Sequence, residues 1–385
     1  MNDTTLPAPR YTLWELVRYA LKLGSIGFGG PVALVGYMYR DLVERRQWIA
    51  ETDYKEGLTL AQLMPGPLAA QLAMYLGYVH YRVRGATLVG IAFVMPSFLM
   101  VVALGWLYIR FGGLDWMQAA FYGVGAAVIG IIAMSAYKLT IKNLSRDPLL
   151  WAIYLVSAAI TVITASEFIA IFLLAGVLVW FVRAPPRVLR GSDALVLALP
   201  VAASFDWPLL GQLLGFFAKA GAFVFGSGLA IVPFLYGGVV TEHHWLSERQ
   251  FVDAVAVAMI TPGPVVITVG FIGYIVAGLP GATVAAVGTF LPCYLFTIIP
   301  APYFKKHGKR PGIVAFINGA TAAAIGTIAG AVIVLGRRSI VDLPTLLIAL
   351  AAVGVLWKFN KVPEPIIVII AAVLGLLLFP FATHP

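Results

Sequence analysis

Residues 62–71 read QLMPGPLAAQ, in the middle of an apolar stretch that runs from Leu58 to Tyr81. Two prolines flanking a glycine cannot continue an α-helix, because each proline lacks an N–H and clashes with the preceding turn. In lipid the backbone groups so freed have no water to turn to. The same break returns as MITPGPVV at 259–266. A membrane-length segment that interrupts itself at its centre, and does so twice, sets the reading of the whole chain.

The class follows from composition. Of 385 residues, 61% are apolar and 11% charged, and the mean hydropathy is +0.93. A soluble protein carries about 25% charged residues. Apolar runs near the length of a spanning helix predict an all-α polytopic membrane protein. A closed β-barrel would alternate over much shorter segments. The single Cys293 excludes an internal disulfide and reads as a small core residue. The N-terminal stretch lacks the features of a signal peptide, so none is expected. A net charge of +9 invites a nucleic-acid reading. The basic residues are spread over membrane-flanking loops, where cytoplasmic retention accounts for them, so no nucleic-acid partner is expected.

Internal repetition organises the chain. Residues 27–67 align without gaps on 224–264: Phe28 on Phe225, Gly29 on Gly226, Tyr39 on Tyr236, Trp48 on Trp245, and Pro65-Gly66-Pro67 on Pro262-Gly263-Pro264. After one deleted residue, Gly77-Tyr78 falls on Gly273-Tyr274, Gly85 on Gly281, Pro96 on Pro292 and Gly130 on Gly326. The predicted repeats are 12–183 and 208–380, joined by a linker at 184–207. Each half reads as a Gly-broken segment (12–36), an amphipathic connection (37–56), a Pro-Gly-Pro-broken helix (58–81), two regular spans and a final pair. The basic loops of the first half (Arg82/Arg84, Lys138/Lys142/Arg146, Arg183/Arg187/Arg190) align with loops opposite in side to those of the second (Lys305/Lys306/Lys309/Arg310, Lys358/Lys361). That switch favours an inverted over a parallel repeat. It requires an odd number of spans per half, met if the first Gly-broken segment is re-entrant, for about ten full spans. Arg40/Arg45/Arg46 dissent from this pattern.

Chemistry clusters at the breaks. Helix resumes after Pro67 and after Pro264, so each break creates a helix N-terminus near mid-membrane, with unpaired N–H groups and partial positive charge suited to an anion. A plain proline kink is the competing reading. FGGP (Phe28, Gly29, Gly30, Pro31) and FGSG (Phe225, Gly226, Ser227, Gly228) can form backbone anion nests, or serve close helix packing. Lys22 and Lys219 occupy matched positions six residues before each Phe-Gly. An ammonium within a membrane helix costs about 2.5–3.5 kcal/mol. Glu15 is an available local partner for Lys22, whereas no acid lies near Lys219. A bound divalent anion would balance both, each contact being worth roughly 4 kcal/mol at 4 Å. Snorkelling to the interface is the alternative. Glu56 and Asp253 are matched acids about 13 Å of helix from their breaks, suited to coupling or gating, or to a helix N-terminus. Gln62 and Gln71 flank the first break, where the second has Met259 and Thr268. Thr261 adjoins the second break, and Asn318 lies in a later span.

The doubled FGGP/FGSG and PGP motifs, Lys22 and the AQLMPGP helix resemble the chromate ion transporter family in its long, two-domain form. The resemblance covers nearly the whole chain. It implies export of chromate from the bacterial cytoplasm across the inner membrane, with sulfate as a similar competing or counter anion, by an antiporter whose homologous halves are oppositely oriented. Met259 in place of Gln62, and FGSG in place of FGGP, imply that the halves contribute unequally.

Other classes fare worse. The five histidines show no HExxH spacing and no nucleotide-binding loop exists, so neither an enzyme, a metal site nor a cofactor is expected. The expected function is alternating-access carriage of a tetrahedral oxyanion. Its site comprises Lys22, Lys219, the two Gly-rich and two Pro-Gly-Pro backbones, Gln62 and Thr261. A sulfate or other anion transporter, or an anion channel, is the runner-up. Membrane lipid is the other expected partner, and homodimerisation is left open.

Overall fold

The structure, a computed structural model, describes residues 11–27, 30–111, 115–144, 146–164, 169–184, 208–223, 231–303, 311–359, 362 and 364–379. They are helical throughout, with no strand among the described residues. The first half contains α1 (Leu13–Ile26), α2 (Gly30–Met38, continued by a π-helical stretch Tyr39–Arg45) and α3 (Glu51–Leu63). Then come α4 (68–81), α5 (83–111), α6 (Asp115–Leu144), α7 (Pro148–Thr164) and α8 (Ile169–Arg183). The second half repeats the order: α9 (Leu209–Ala222), α10 (Ile231–Tyr236, continued as π-helix Gly237–Glu242), α11 (Glu248–Ile260), α12 (268–276) and α13 (279–298). It ends with α14 (Pro311–Ser339), α15 (Leu343–Lys358) and α16 (Glu364–Leu378).

The correspondence extends to single residues. Gln47 and His244 are matched loop positions, and both have φ 51°. The guanidinium of Arg46 lies 4.4 Å over Trp48 and 5.5 Å over Tyr19. The aligned His243 stacks 4.3 Å from Trp245 and sits edge-on 5.8 Å from Phe216. Capping boxes start α1 (Thr12 with Glu15) and α11 (Ser247 with Gln250), satisfying helix N–H groups that would otherwise be orphaned.

Two antiparallel hairpins open the first half. The chain leaving α1 returns alongside it: Leu34 packs over Gly27, the Tyr19 hydroxyl donates to Asp41 at 3.4 Å, and the Tyr11 and Trp48 rings stack at 5.0 Å. The Pro-Gly-Pro segment behaves likewise. Gly57 of α3 packs against Tyr75 of α4, and Asp53 interacts electrostatically with His80. α3 and α4 therefore descend to the break and come back on the same side. This corrects the expectation that 58–81 is one broken crossing. A proline between two helical arms kinks a helix, whereas Pro-Gly-Pro with Gly66 at φ 141° reverses it. At most four helices then run through in each half, α5 to α8 in the first and α13 to α16 in the second, so about ten crossings reduces to at most eight among the described residues.

A second reversal joins α4 to α5. Arg82 takes φ 53°, ψ −143°, a conformation natural only to glycine, and Gly278 occupies the matched turn at φ 61°. The turn is tight because Gly77 and Gly85 touch backbone to backbone, as Gly273 and Gly281 do in the copy.

The halves interlock. Gly130 and Gly123 of α6 pack against Ala349 of α15 and Ala371 of α16, while Gly326 and Gly319 of α14 pack against Tyr154 of α7 and Ala175 of α8. Each long central helix is thus flanked by the terminal pair of the other half through small residues, the usual means of close approach in lipid. Between α6 and α14, Ile129 meets Gly336 and the Tyr122 hydroxyl bonds Asp342. Ascending numbers on one chain segment meet descending numbers on the other.

A Cβ on Gly85 would lie 2.1 Å from the Gly77 carbonyl oxygen. Gly85→Ala is therefore expected to destabilise the protein by about 2–4 kcal/mol, and Arg82→Gly to stabilise it by about 1 kcal/mol. Thermal unfolding in detergent reads both.

Candidate functional site

The second Pro-Gly-Pro tip meets the end of α1 and α5, and the first is held by α4. At the first tip, α3 ends as the Met64 N–H bonds the Leu60 carbonyl. Gly66 at φ 141° turns the chain, and the Gln71 N–H reaches Pro67 O at 3.0 Å, the first bond of α4. The N–H groups of residues 68–70 precede that bond and have no acceptor within their helix. The Gln71 side chain is fully buried. Its Nε2 donates to Pro65 O at 2.7 Å, holding the tip closed from within its own half, while its Oε1 is buried without a hydrogen-bond partner.

The second tip is held differently. Pro262 O accepts from Ser97 Oγ at 2.7 Å, and the Gly263 N–H donates to Gly27 O at 3.0 Å. Both partners belong to the first half. Ser97 Oγ also lies 3.4 Å from Gly24 O, and Gly24 packs directly on the Phe93 backbone, so α1, α5 and the second tip meet at one point. Thr261 Oγ1 bonds Ala258 O at 3.0 Å and Thr268 Oγ1 bonds Val265 O at 2.8 Å, so both hydroxyls are satisfied locally. Ser97 was not singled out from the sequence. The one signal was its place after Pro96, aligned with Cys293 after Pro292, and a serine aligned with a cysteine has no motif value by itself. Cys293 is fully buried.

The tips differ in exposure. Gln62 is exposed and Leu63, Met64 and Pro65 are half-buried, while Gly66 and Pro67 are buried. Residues 261–267 are all buried, and Met259, matched to Gln62, is 3% exposed. The exposure at the first tip continues along α3, where Thr52, Lys55, Thr59 and Gln62 form a polar stripe at helical spacing. Its counterpart on α11 is Arg249, Val252, Ala256 and Met259, apolar beyond the first turn and closed at Ala256 and Met259.

The remaining expected residues are placed as follows. Lys22 and Lys219 are exposed, the first on a helix face shared with Ile26 and the second on one shared with Gln212 and Gly215. Neither pairs with a carboxylate among the described residues. Glu15 is not the partner of Lys22, because it accepts from the Thr12 N–H at 2.7 Å and from the Thr12 hydroxyl, which together hold its carboxyl below the usual range. Lys219 falls in the last turn of α9, where the helix dipole favours a cation. Gly30 and Pro31 open α2, whereas Phe28, Gly29, Phe225, Gly226, Ser227 and Gly228 lie outside the described residues. Glu56 is half-buried and hydrogen-bonds Tyr75. Asp253 is 4% exposed and accepts from the Tyr108 hydroxyl of the other half at 2.7 Å. Asn318 is half-buried on α14. No cluster of potential metal ligands occurs among the described residues.

Interlocked helical repeats, each with a re-entrant Pro-Gly-Pro tip, have the architecture of a membrane transport protein. The chain belongs to the chromate transporter family, whose profile it matches over residues 14–180 and again over 211–376. It is 71% identical over 384 residues to the chromate transport protein of Cupriavidus metallidurans, covering 98% of this chain and 96% of that one. It is 62% identical over 378 residues to the probable chromate transport protein of Synechococcus elongatus, covering 96% of each. A chromate transport protein of Pseudomonas aeruginosa is 31% identical over 407 residues, covering 98% of this chain and 96% of that one. No solved structure matches. Membership assigns the chain a chromate transport function, and its helical spans place it in the bacterial inner membrane.

Ser97→Ala would leave the buried Pro262 carbonyl without a partner, and is expected to cost about 1–3 kcal/mol in thermal unfolding. Cys293→Ser, which places a hydroxyl at the matched position, is expected to leave stability within about 1 kcal/mol of the parent.

Proposed function

We propose that the protein exports chromate by alternating access, with sulfate as a competing dianion, and that its halves (12–183 and 208–380, joined by 184–207) are inverted copies. The observation that carries this reading is the pair of chemically matched tips with unequal exposure. In an inverted repeat, one copy open and the other closed is a single state of a carrier, and exchanging their conformations generates the other state.

The opposed running of α6 and α14 supports inversion. With the hairpins folded back, Arg45, Arg46, Arg82, Arg84, Arg146, Arg183 and Lys358 share one face, against Arg110, Arg249 and Arg337 on the other. Arg40, Arg45 and Arg46 no longer dissent, because 58–81 does not separate them from Arg82. The basic face is the cytoplasmic one. An even number of crossings returns Arg183, at the end of the first half, to that face, whereas inversion starts the second half, at Pro208, on the other.

Substrate enters along the α3 stripe. Polar side chains at membrane depth are costly against lipid, so Lys55, Thr59 and Gln62 line water. The path ends at Pro65-Gly66-Pro67, where the first-turn N–H groups of α4 and the polar ends of Gln62 and Gln71 receive the anion. Pro262-Gly263-Pro264 and Thr261 form the matched receiving surface in the other state. The Phe28–Pro31 and Phe225–Gly228 backbones supply further N–H donors, and Lys22 and Lys219 supply charge. Glu56 and Asp253 act in coupling or gating, since the Asp253–Tyr108 bond joins α11 to α5 across the halves and must part for the second tip to open.

Proteoliposomes carrying the protein are expected to show saturable chromate uptake that sulfate competes and that responds to a proton or counter-anion gradient. Flux far above carrier rates with no coupling would make it a channel. Lys219→Met is expected to reduce uptake at least about tenfold, equivalent to about 1.4 kcal/mol. Full activity would leave the lysines as helix-end charges. Introduced thiols test the state directly, since the native Cys293 is buried. Gln62→Cys should react from the cytoplasmic face and Met259→Cys should be protected, with the order reversing under turnover. Reaction of both from one face would end the alternating-access reading. Thiols at Arg82 and Gly278 should label from opposite faces, and labelling from the same face would replace inversion with a parallel repeat.

A further inference from the structure

We infer that the groove between α5 and α13 binds an anionic phospholipid, with its phosphate at Arg84 and an acyl chain along the helices. The groove encloses about 410 Å³ and is lined by Thr87, Ile91 and Met95 of α5 and by Val287, Leu291 and Tyr294 of α13. Ile91, Met95, Val287 and Leu291 are 51%, 40%, 51% and 49% exposed, so the groove opens on the outer surface of the bundle rather than into it. Thr87 Oγ1 and Tyr294 Oη pair with each other at 2.7 Å, which leaves the wall apolar.

The repeat provides an internal comparison. Ile91 aligns with Val287 and Met95 with Leu291, so the two ends of the groove have similar apolar walls. They differ in charge. Arg84 precedes Thr87 by three residues and Ile91 by seven, which puts it on the groove-lining face of α5. It is exposed and has no ion pair among the described residues. The aligned residue at the other end is Pro280.

One occupant satisfies both features. From Arg84 to Met95 is about 16 Å of helix, the reach of an acyl chain hung from a headgroup at the interface. A soluble oxyanion would use the arginine and leave the apolar groove open. A helix of a second copy, about 10 Å across, is too wide for this volume and offers no charge to Arg84. Basic residues between membrane helices at the cytoplasmic leaflet select anionic headgroups.

The delipidated full-length protein in detergent would be titrated with phosphatidylglycerol and with phosphatidylethanolamine of the same chains, and bound lipid counted by native mass spectrometry. One phosphatidylglycerol should bind at about fivefold lower concentration than phosphatidylethanolamine. Arg84→Gln should abolish that preference, while Arg110→Gln, at the far end of α5, should retain it. Ile91→Trp, which fills the groove, should weaken both lipids. Equal binding of the two lipids, a preference surviving Arg84→Gln, or displacement of the lipid by millimolar sulfate would overturn the assignment. So would dimers that persist without lipid and exclude it. None of these readouts depends on transport, so the lipid site and the carrier mechanism stand or fall separately.

Discussion

A backbone that breaks at mid-membrane must find partners inside the protein, and that requirement shapes the centre of this molecule. The second Pro-Gly-Pro tip exposes a carbonyl at Pro262 and an N–H at Gly263, where no water is assured. Ser97 supplies the donor that carbonyl needs and Gly27 the acceptor that N–H needs, and both come from the opposite half. Hydrogen bonding thereby ties the halves at the point where each helix is weakest. The glycine contacts of α1 with α5, and of α6 and α14 with the terminal pairs, bring the backbones close enough for those bonds to form.

Among the described residues, the first tip finds its hydrogen-bond partners within its own half. Gln71 closes it from α4, and the position matching Ser97 is Cys293, a poor donor. A tip whose described bonds lie within its own half keeps them when it moves against the other. A tip bonded across the halves does not. The difference in exposure between 62–65 and 261–267 follows the difference in bonding. It also agrees with the polar stripe on α3 and the apolar one on α11. Sequence asymmetry, hydrogen-bond asymmetry and accessibility therefore point in one direction.

Much of this was legible in the sequence, because the repeat and its breaks are written in prolines and glycines whose backbone demands are local. Matched turns at Arg82 and Gly278, and at Gln47 and His244, repeat to within a few degrees of φ. What the sequence hid was direction. Hydropathy reports that 58–81 is apolar and long enough to cross, and cannot say whether a chain leaving Pro67 continues or returns. That is decided by contacts such as Gly57 on Tyr75, between residues whose pairing no periodicity reveals. The setting of the lysines was hidden for a related reason: matched position is visible in sequence, but the face a side chain takes is set by packing. Ser97 was invisible because its role is to satisfy a carbonyl far along the chain.

Folding 58–81 back changes more than one segment. It moves Arg40, Arg45 and Arg46 to the same side as Arg82 and Arg84, and so removes the one conflict in the charge distribution. It gives each half a re-entrant Pro-Gly-Pro hairpin, α3–α4 in the first and α11–α12 in the second. A spanning broken helix would give the anion a single fixed kink. In the proposed inverted arrangement, two opposed hairpins give it two movable tips, one from each face, with the Asp253–Tyr108 bond and the Ser97 contacts holding one shut. In the proposed cycle, closing the open tip and releasing the shut one exchanges access without any helix having to cross the bilayer anew. That economy of movement is what an inverted pair of re-entrant hairpins offers a carrier of a small, doubly charged ion.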